Sequence, residues 1–362
     1  MSYRFERDES IPDGVRRVAD ELLDEALGLL EAPGDDVEDA VHQVRKNCKM
    51  LRGLVRLVRP GMGDWYRTAN VTARDAAREL ASIRDAHALL ETFDHLVAAR
   101  AGEVDGAGDG VVPVRTELAA RAEAATQAVS GRDQRILDAS ELLTQLRDQI
   151  ADWPLTDDVD VLAGGAAKTY KRGRKRWREN QFDPTDEGLH QWRKRVKYTW
   201  YHLRLLRDSA PGVLTPLIGR FHDLSDALGD DHDLVVLTEQ LQAQPAAFGG
   251  DDVVERAMRL VVPTRERLQR AASSLGARLY VESPDRFSER LARYWTAWQE
   301  LGDELQAGEI SDMAPPSDDL DERSVRDLYT LAQQLGIPNR STMDRDDLIG
   351  TIRAAGWTAS QT

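Results

Sequence analysis

The chain has 362 residues, of which 41% are hydrophobic and 31% charged, so it carries enough apolar side chain for a folded core and is not a wholly disordered protein. Its single cysteine, Cys48, excludes an internal disulfide and a zinc site built from cysteines. No apolar run reaches the roughly 20 residues needed to cross a bilayer, so we expect a cytoplasmic protein with no membrane partner. The net charge of −15, from 63 acidic and 48 basic residues, repels polyanions at long range.

The hydrophobic pattern predicts an all-α fold, because apolar residues recur at three- and four-residue spacing and no segment alternates as a strand does. In chain order, the predicted helices cover 13–31, 36–59, 64–100, 113–150, 159–180, 186–208, 213–243 and 250–307. We expect the fourth helix to break near Gly131 and the last to break near Pro263 and Pro284. The domains that follow are a helical domain at 10–307 with halves at 10–151 and 159–307, a linker at 308–319, and a small helical module at 320–356.

An internal repeat links the two halves of the large domain. Residues 41–59 read VHQVRKNCKMLRGLVRLVR and residues 189–207 read LHQWRKRVKYTWYHLRLLR, at a constant offset of 148 positions. A second pair of segments, 83–90 and 228–235, aligns at an offset of 145. We therefore predict two four-helix bundles related by an approximate two-fold axis.

Each copy of the repeat places a row of cations on one face of a helix, opposite an apolar face. The first basic stripe comprises His42, Arg45, Lys46, Lys49 and Arg56, and the second comprises His190, Arg193, Lys194, Lys197 and Arg204. Like charges three or four residues apart destabilise a helix by roughly 0.2–0.5 kcal/mol per pair. A solvated basic face, or one paired with acids of a neighbouring helix, is the alternative interpretation. The duplication and the histidine that opens each stripe favour a bound polyanion.

The lysines are confined to these stripes and to one further segment, although the rest of the chain is acidic. Residues 168–178 read KTYKRGRKRWR and form a third basic element on the helix before the second stripe. Its predicted contributors to anion binding are Lys168, Lys171, Arg172, Lys175 and Arg176. We interpret the avoidance of lysine elsewhere as typical of a salt-rich cytoplasm, which makes these clusters a local exception with a local function.

The stripe motifs resemble those of the CHAD family (conserved histidine α-helical domain). Its first signature is matched by Val41, His42, Arg45, Lys49, Leu51 and Arg52, and its second by Leu189, His190, Arg193, Lys194, Lys197 and Tyr201. The later L-G-D-x-x-D-x-x-V segment is matched at 228–236, whereas Met50 and Trp200 stand where basic residues are common. The resemblance covers about residues 10–307.

The resemblance implies two helical bundles with a basic groove or pore between them, which binds inorganic polyphosphate without catalysis or a cofactor. It also implies association with polyphosphate granules. A linear phosphate polymer has closely spaced charges and no bases to recognise, so arginine can give bidentate contacts and lysine point charges. The expected polyphosphate ligands are the cations of the two stripes, those of the third basic element, and Arg52.

Two alternatives remain open. A metal-dependent phosphohydrolase would use His222, Asp230, His232 and Asp233, whose side chains are suitable ligands for divalent metals. A nucleic-acid adaptor would act through residues 324–356, which resemble the SAP-like fold of the N-terminal domain of the transcription terminator Rho. The arginines of this module are nearly balanced by aspartates, which favours a protein-binding or structural role for it. We interpret His95 and His202 as ordinary helix residues.

Overall fold

The computed structural model describes residues 3–34, 36–100, 109–128, 133–303, 320–321, 323–338, 340, 343–355 and 357, apart from the side chains of residues 83, 84 and 109. The chain divides into two compact units, Met1–Glu304 and Leu305–Thr362. No β-strand occurs in these described ranges, so the predicted all-α fold is confirmed. Within them, none of the helices combines the length and apolarity of a membrane span.

The helices of the larger unit carry the stripes on α2 and α8 and the third basic element on α7. In chain order they are α1 (Ile11–Glu31), α2 (Val37–Leu57), α3 (Trp65–Glu79), α4 (Ala81–Arg100), α5 (Val112–Gln127), α6 (Gln134–Asp148), α7 (Val159–Glu179), α8 (Asp186–Leu205), α9 (Pro211–Ala243), α10 (Asp251–Leu279) and α11 (Pro284–Leu301).

Two predicted helices differ from those observed. The segment expected to be one helix over 64–100 forms two helices, α3 and α4, with Leu80 between them. A break was expected at Pro263, but α10 continues through this residue. Leu80 is buried in the core that contains α3, whereas Phe93 on α4 is buried in a different core. The chain therefore turns at Leu80 because the two helices pack into separate cores. The expected break at Pro284 is observed, with Pro284 at the start of α11, and Gly131 lies outside the described residues.

Two hydrophobic cores organise the larger unit. The first core joins α1, α2, α3 and α6 to α7, α8, α11, the first part of α9 and the end of α10. The second core lies between α4, α5, the last part of α9 and the first part of α10, and includes Phe93, Leu118, Leu237 and Val261. Because α9 and α10 are long, each extends from one core to the other. These segments were predicted to be helical, but their grouping around a second core was not predicted from the sequence.

Two glycines allow α2 to pack closely against α7 and α8. A Cβ atom at Gly53 would lie 2.8 Å from the Cβ of Tyr201 on α8, and one at Gly165 on α7 would overlap the backbone of Leu57. Nε2 of the buried His202 donates to the Gly53 carbonyl at 3.1 Å, which fixes the contact between α2 and α8. The two helices that carry the basic stripes are thus direct neighbours, and His202 is a structural residue, as expected.

The smaller unit contains α12 (Val325–Gln334) and α13 (Arg345–Ala354). Leu328, Leu331, Leu348 and Ile352 are buried between these helices. Asp344 and Ser324 cap the N-termini of α13 and α12, each accepting a hydrogen bond from a backbone N–H three residues later. The predicted linker at 308–319 lies outside the described residues.

Candidate functional site

A cleft of about 860 Å³ opens where helices of the first core meet those of the second core. Its cationic side is lined by Arg45 and Lys49 of α2 and by Arg193 of α8, with His42 at the same wall. The opposite side is formed by α4, α9 and α10, which contribute carboxylates as well as apolar side chains. The cleft thus contains members of both basic stripes.

Equivalent positions of the internal repeat lie side by side where α2 packs against α8. Gly53 packs on Tyr201, and the charge of Lys197 acts on Lys49, in each case between residues 148 positions apart. The repeated cations Lys49 and Lys197 are therefore close enough for their charges to act on one another. This proximity brings like charges together and makes the site unfavourable without an anion.

The pKa values of the paired lysines reflect this repulsion. Loss of hydration at the concave surface, followed by the charges of Lys197, Arg45 and Arg193, lowers the pKa of Lys49 to about 8. The Lys49 side chain nevertheless remains exposed to solvent at the cleft. The same loss of hydration and the charge of Arg193 lower the pKa of Lys197, while the charge of Asp233 opposes both effects.

The central cations of the two stripes differ from Arg45 in their contacts with carboxylates. Within the described part of the chain, Lys49, Arg193, Lys194 and Lys197 form no ion pair. The Nε of Arg193 is buried and has no hydrogen-bond partner among these residues. By contrast, Arg45 donates to the Ala77 carbonyl at 3.0 Å and lies 3.9 Å from a carboxylate oxygen of Asp85. The stripes are therefore only partly neutralised by the protein itself.

Two histidines stack at the start of the second stripe. The rings of His190 and His232 lie 4.1 Å apart, and Nδ1 of His190 is buried without a hydrogen-bond partner in the described ranges. Burial, followed by the neighbouring His232 and the charges of Lys194 and Arg193, lowers the pKa of His190 to about 4. His190 is therefore neutral near pH 7 before any anion binds, and burial followed by the charges of Arg193 and Lys194 lowers the pKa of His232 as well.

The cationic surface continues from the cleft towards α7. Arg52 lies near Lys194, and the charges of both Arg172 and Arg176 act on Arg195. Arg56 lies 4.0 Å above the ring of Tyr198. Loss of hydration, followed by the charges of Arg59 and Arg172, lowers the pKa of Lys168. Lys168 therefore lies near these two arginines and belongs to the same cationic surface.

Some of the predicted ligands lie away from the cleft. Lys171 and Lys175 are exposed on α7, and Glu179 pairs with Lys175 at 3.6 Å and with Arg176 at 2.8 Å. Arg204 lies over the rings of Tyr3 and Trp200, at 5.1 and 4.9 Å. Lys46 is exposed beside the cleft, and its charge contributes to the lowered pKa of Lys197.

Several residues of this region were not predicted from the sequence. Arg195 was omitted although it adjoins Lys194, because it faces α7 instead of continuing the row predicted for α8. Arg59 was aligned in the repeat but was not assigned to the site. His95 and Arg267 line the cleft from α4 and α10, which carry no basic motif that could have identified them.

The residues considered for metal binding, and Asp231 beside them, serve different contacts. Asp231 is buried and accepts hydrogen bonds from Arg265 at 3.0 Å and Gln269 at 2.9 Å, which join α9 to α10. His222 pairs with Asp226 at 2.8 Å, and burial together with Asp233 and Asp226 raises the pKa of Asp230. Within the described residues, no three His, Cys, Asp or Glu side chains converge closely enough to hold a metal ion.

Comparisons with known proteins agree with the motifs. The family model described as the CHAD domain matches residues 15–242, which is more than half of the chain. The fold is similar to the crystal structure of the CHAD domain from the plant Ricinus communis, with 17% sequence identity and a TM-score of 0.43, over 84% of this chain and 98% of that one. No curated protein matches the sequence.

Proposed function

Because this chain belongs to the CHAD family, we propose that it binds inorganic polyphosphate through the cations of α2 and α8 and catalyses no reaction on it. The observation that carries the proposal is the convergence of Lys49, Arg193 and Lys197, which have no ion-pair partner in the described residues. A phosphate chain supplies the missing negative charge at several adjacent points. Binding then relieves the repulsion between the repeated cations.

The shape of the cationic surface favours a linear ligand. The cleft contains Arg45, Lys49 and Arg193, and further cations extend past Arg52 towards Arg172 on α7. A polymer of phosphates can contact successive cations along this path, whereas a single phosphate satisfies only one part of it. Arginine binds phosphate oxygens in pairs, and lysine adapts to their positions as a point charge.

Calorimetric titration with polyphosphate of defined length tests the proposal. Replacing Arg193 and Lys197 together by Gln removes two charge-assisted contacts, each of which contributes about 1.5–3 kcal/mol. We therefore expect a loss of at least roughly a hundredfold in affinity. The control is Arg293→Gln, which removes an exposed arginine paired with Glu289 on α11. Equal affinity of the double variant and the control would contradict the proposed site.

The salt dependence of the binding constant, measured in the same titration, is a second test. Each phosphate neutralised by a cation releases condensed counterions, so the logarithm of the binding constant falls with the logarithm of salt concentration. The double variant should show a shallower slope than the wild type, because it forms two fewer contacts. A slope that is unchanged would mean that the two residues do not contact the polymer.

The metal-dependent phosphohydrolase is the first competing function. It requires phosphate release from polyphosphate with Mg²⁺ or Mn²⁺, and this release should be lost in Asp230→Ala. We expect no release above the background of a boiled sample. Release that depends on Asp230 would establish the enzyme in place of the binding protein.

The nucleic-acid adaptor is the second competing function. Deletion of residues 316–362 should leave polyphosphate affinity unchanged, because the proposed ligands all lie in the larger unit. Loss of binding after the deletion would favour a role for the module. Recruitment to polyphosphate granules is a further consequence of the proposal, and imaging of the double variant beside the Arg293→Gln control tests it in cells.

A further inference from the structure

We propose that Lys49 is a covalent modification site, at which acyl phosphates transfer their acyl group to the amine and thereby weaken the binding of polyanions. The modification itself follows from the surroundings of Lys49. Its effect on polyanion binding rests on the proposed function.

The position of Lys49 provides both access and a means of holding the reagent. Its side chain is exposed and lines the cleft, and no carboxylate pairs with it among the described residues. Arg193 lines the same cleft, and its charge acts directly on Lys49. An acyl phosphate carries a doubly charged phosphate next to its reactive carbonyl. A guanidinium that binds this phosphate holds the carbonyl carbon near the lysine.

The same surroundings make the amine reactive. Only an unprotonated amine is a nucleophile, and an ordinary lysine with a pKa near 10.4 is about one part in a thousand unprotonated at pH 7.5. Loss of hydration, followed by the charges of the neighbouring cations, lowers the pKa of Lys49 to about 8. About a quarter of Lys49 is then unprotonated at pH 7.5. Cation clusters of this kind are a recognised means of activating a lysine.

The reaction is a simple acyl transfer. The lone pair of Lys49 Nζ attacks the carbonyl carbon and forms a C–N bond, and the bond from that carbon to the phosphate oxygen breaks. Inorganic phosphate leaves with the electron pair, and the nitrogen loses its excess proton to solvent. The amide product has no charge, so the repulsion with Lys197 and Arg193 disappears together with one phosphate-binding cation.

The other lysines provide internal comparisons. Lys175 is exposed, but it pairs with Glu179 at 3.6 Å, which favours its protonated form. Lys197 also has a lowered pKa, but it is less exposed than Lys49 and does not line the cleft. We therefore expect Lys49 to react first.

Peptide mass spectrometry of the full chain after exposure to acetyl phosphate at pH 7.5 tests the proposal. Acetylation at Lys49 should be at least about tenfold faster than at Lys175, in line with the difference in unprotonated amine. Saturating polyphosphate should slow the reaction at Lys49 more than the reaction at Lys175, which lies away from the cleft. In Arg193→Gln, acetyl phosphate should react more slowly at Lys49, whereas Arg293→Gln should behave as the wild type.

A neutral acyl donor distinguishes the reactivity of the Lys49 amine from the binding of the donor's phosphate by Arg193. With N-acetylimidazole, which has no phosphate to bind, Lys49 should still react faster than Lys175 in the wild type. Arg193→Gln should slow this reaction less than it slows the reaction with acetyl phosphate, because only the rise in the pKa of Lys49 then contributes. Equal rates at Lys49 and Lys175 with both donors would overturn the proposed modification, even if polyphosphate binding is measured in the same preparation. Preferential acetylation without protection by polyphosphate would support the modification and count against the proposed ligand.

Discussion

Replacing Lys49 by Met should stabilise the protein without ligand while weakening its affinity for polyphosphate. Methionine keeps the unbranched stem and removes a charge that is disfavoured by loss of hydration and then by the neighbouring charges of Lys197, Arg45 and Arg193. The difference between the ordinary lysine pKa and a value of about 8 corresponds to roughly 3 kcal/mol. Because the side chain is exposed, solvent screening reduces the expected gain in unfolding free energy to about 1 kcal/mol.

The pH dependence of this gain in stability shows whether it comes from the charge of Lys49. The unfolded chain keeps its proton on Lys49 up to about pH 10.5, whereas the folded chain releases it near pH 8. The charge therefore destabilises the wild type fully below pH 8, and this penalty disappears as the pH rises to 10.5. The advantage of Lys49→Met should be present at pH 7 and absent near pH 10.5.

Urea unfolding at both pH values, at constant ionic strength, measures the effect. Lys175→Met is the matched control, since it removes an exposed lysine that pairs with Glu179. We expect that control to change stability by less than about 0.5 kcal/mol and not to increase it. A Lys49→Met variant that is less stable than the wild type at pH 7, or equally stabilised at both pH values, would refute the repulsion that we describe.

Three further results are expected. Gly165→Ala should lower the unfolding free energy by about 1–3 kcal/mol, because the new methyl group overlaps α2. The control Gly219→Ala, at a helical position with open space around it, should raise the unfolding free energy by about 0.5–1 kcal/mol. Equal effects of the two variants in thermal unfolding would contradict the close contact. Asp231→Ala should lower the unfolding free energy by about 1–3 kcal/mol, because Arg265 and Gln269 lose a buried acceptor while Arg265 keeps its ion pair with Asp186. An effect below about 0.5 kcal/mol in urea unfolding would argue against that role. Polyphosphate binding at pH 8 should take up protons as Lys49 becomes charged, which calorimetry in buffers of different ionisation enthalpy detects; proton release would have the wrong sign.

The sequence predicted the helical fold and the stripes because both are local properties. Apolar spacing identifies a helix and the face that it buries, and the repeated His–Arg–Lys pattern marks two equivalent helices. The break at Leu80 was not predictable in this way. It has no glycine or proline as a signal and exists because α3 and α4 pack into different cores.

The same limit explains the site residues that were missed. The sequence does not state which helices face the stripes, so His95 on α4 and Arg267 on α10 could not be connected with α2. The orientation of Arg195 towards α7 likewise depends on the packing of α7 against α8. The repulsion between Lys49 and Lys197 follows once the repeat-equivalent lysines are known to be neighbours, but the loss of hydration that lowers the pKa of Lys49 most depends on the packing around the cleft.

The crystal structure of the protein with bound polyphosphate would test the central claim most directly. We predict phosphate groups within hydrogen-bond distance of Lys49 on α2 and of both Arg193 and Lys197 on α8, contributed by one continuous chain. A polymer that contacts only one of these helices, or that lies elsewhere on the molecule, would contradict the account.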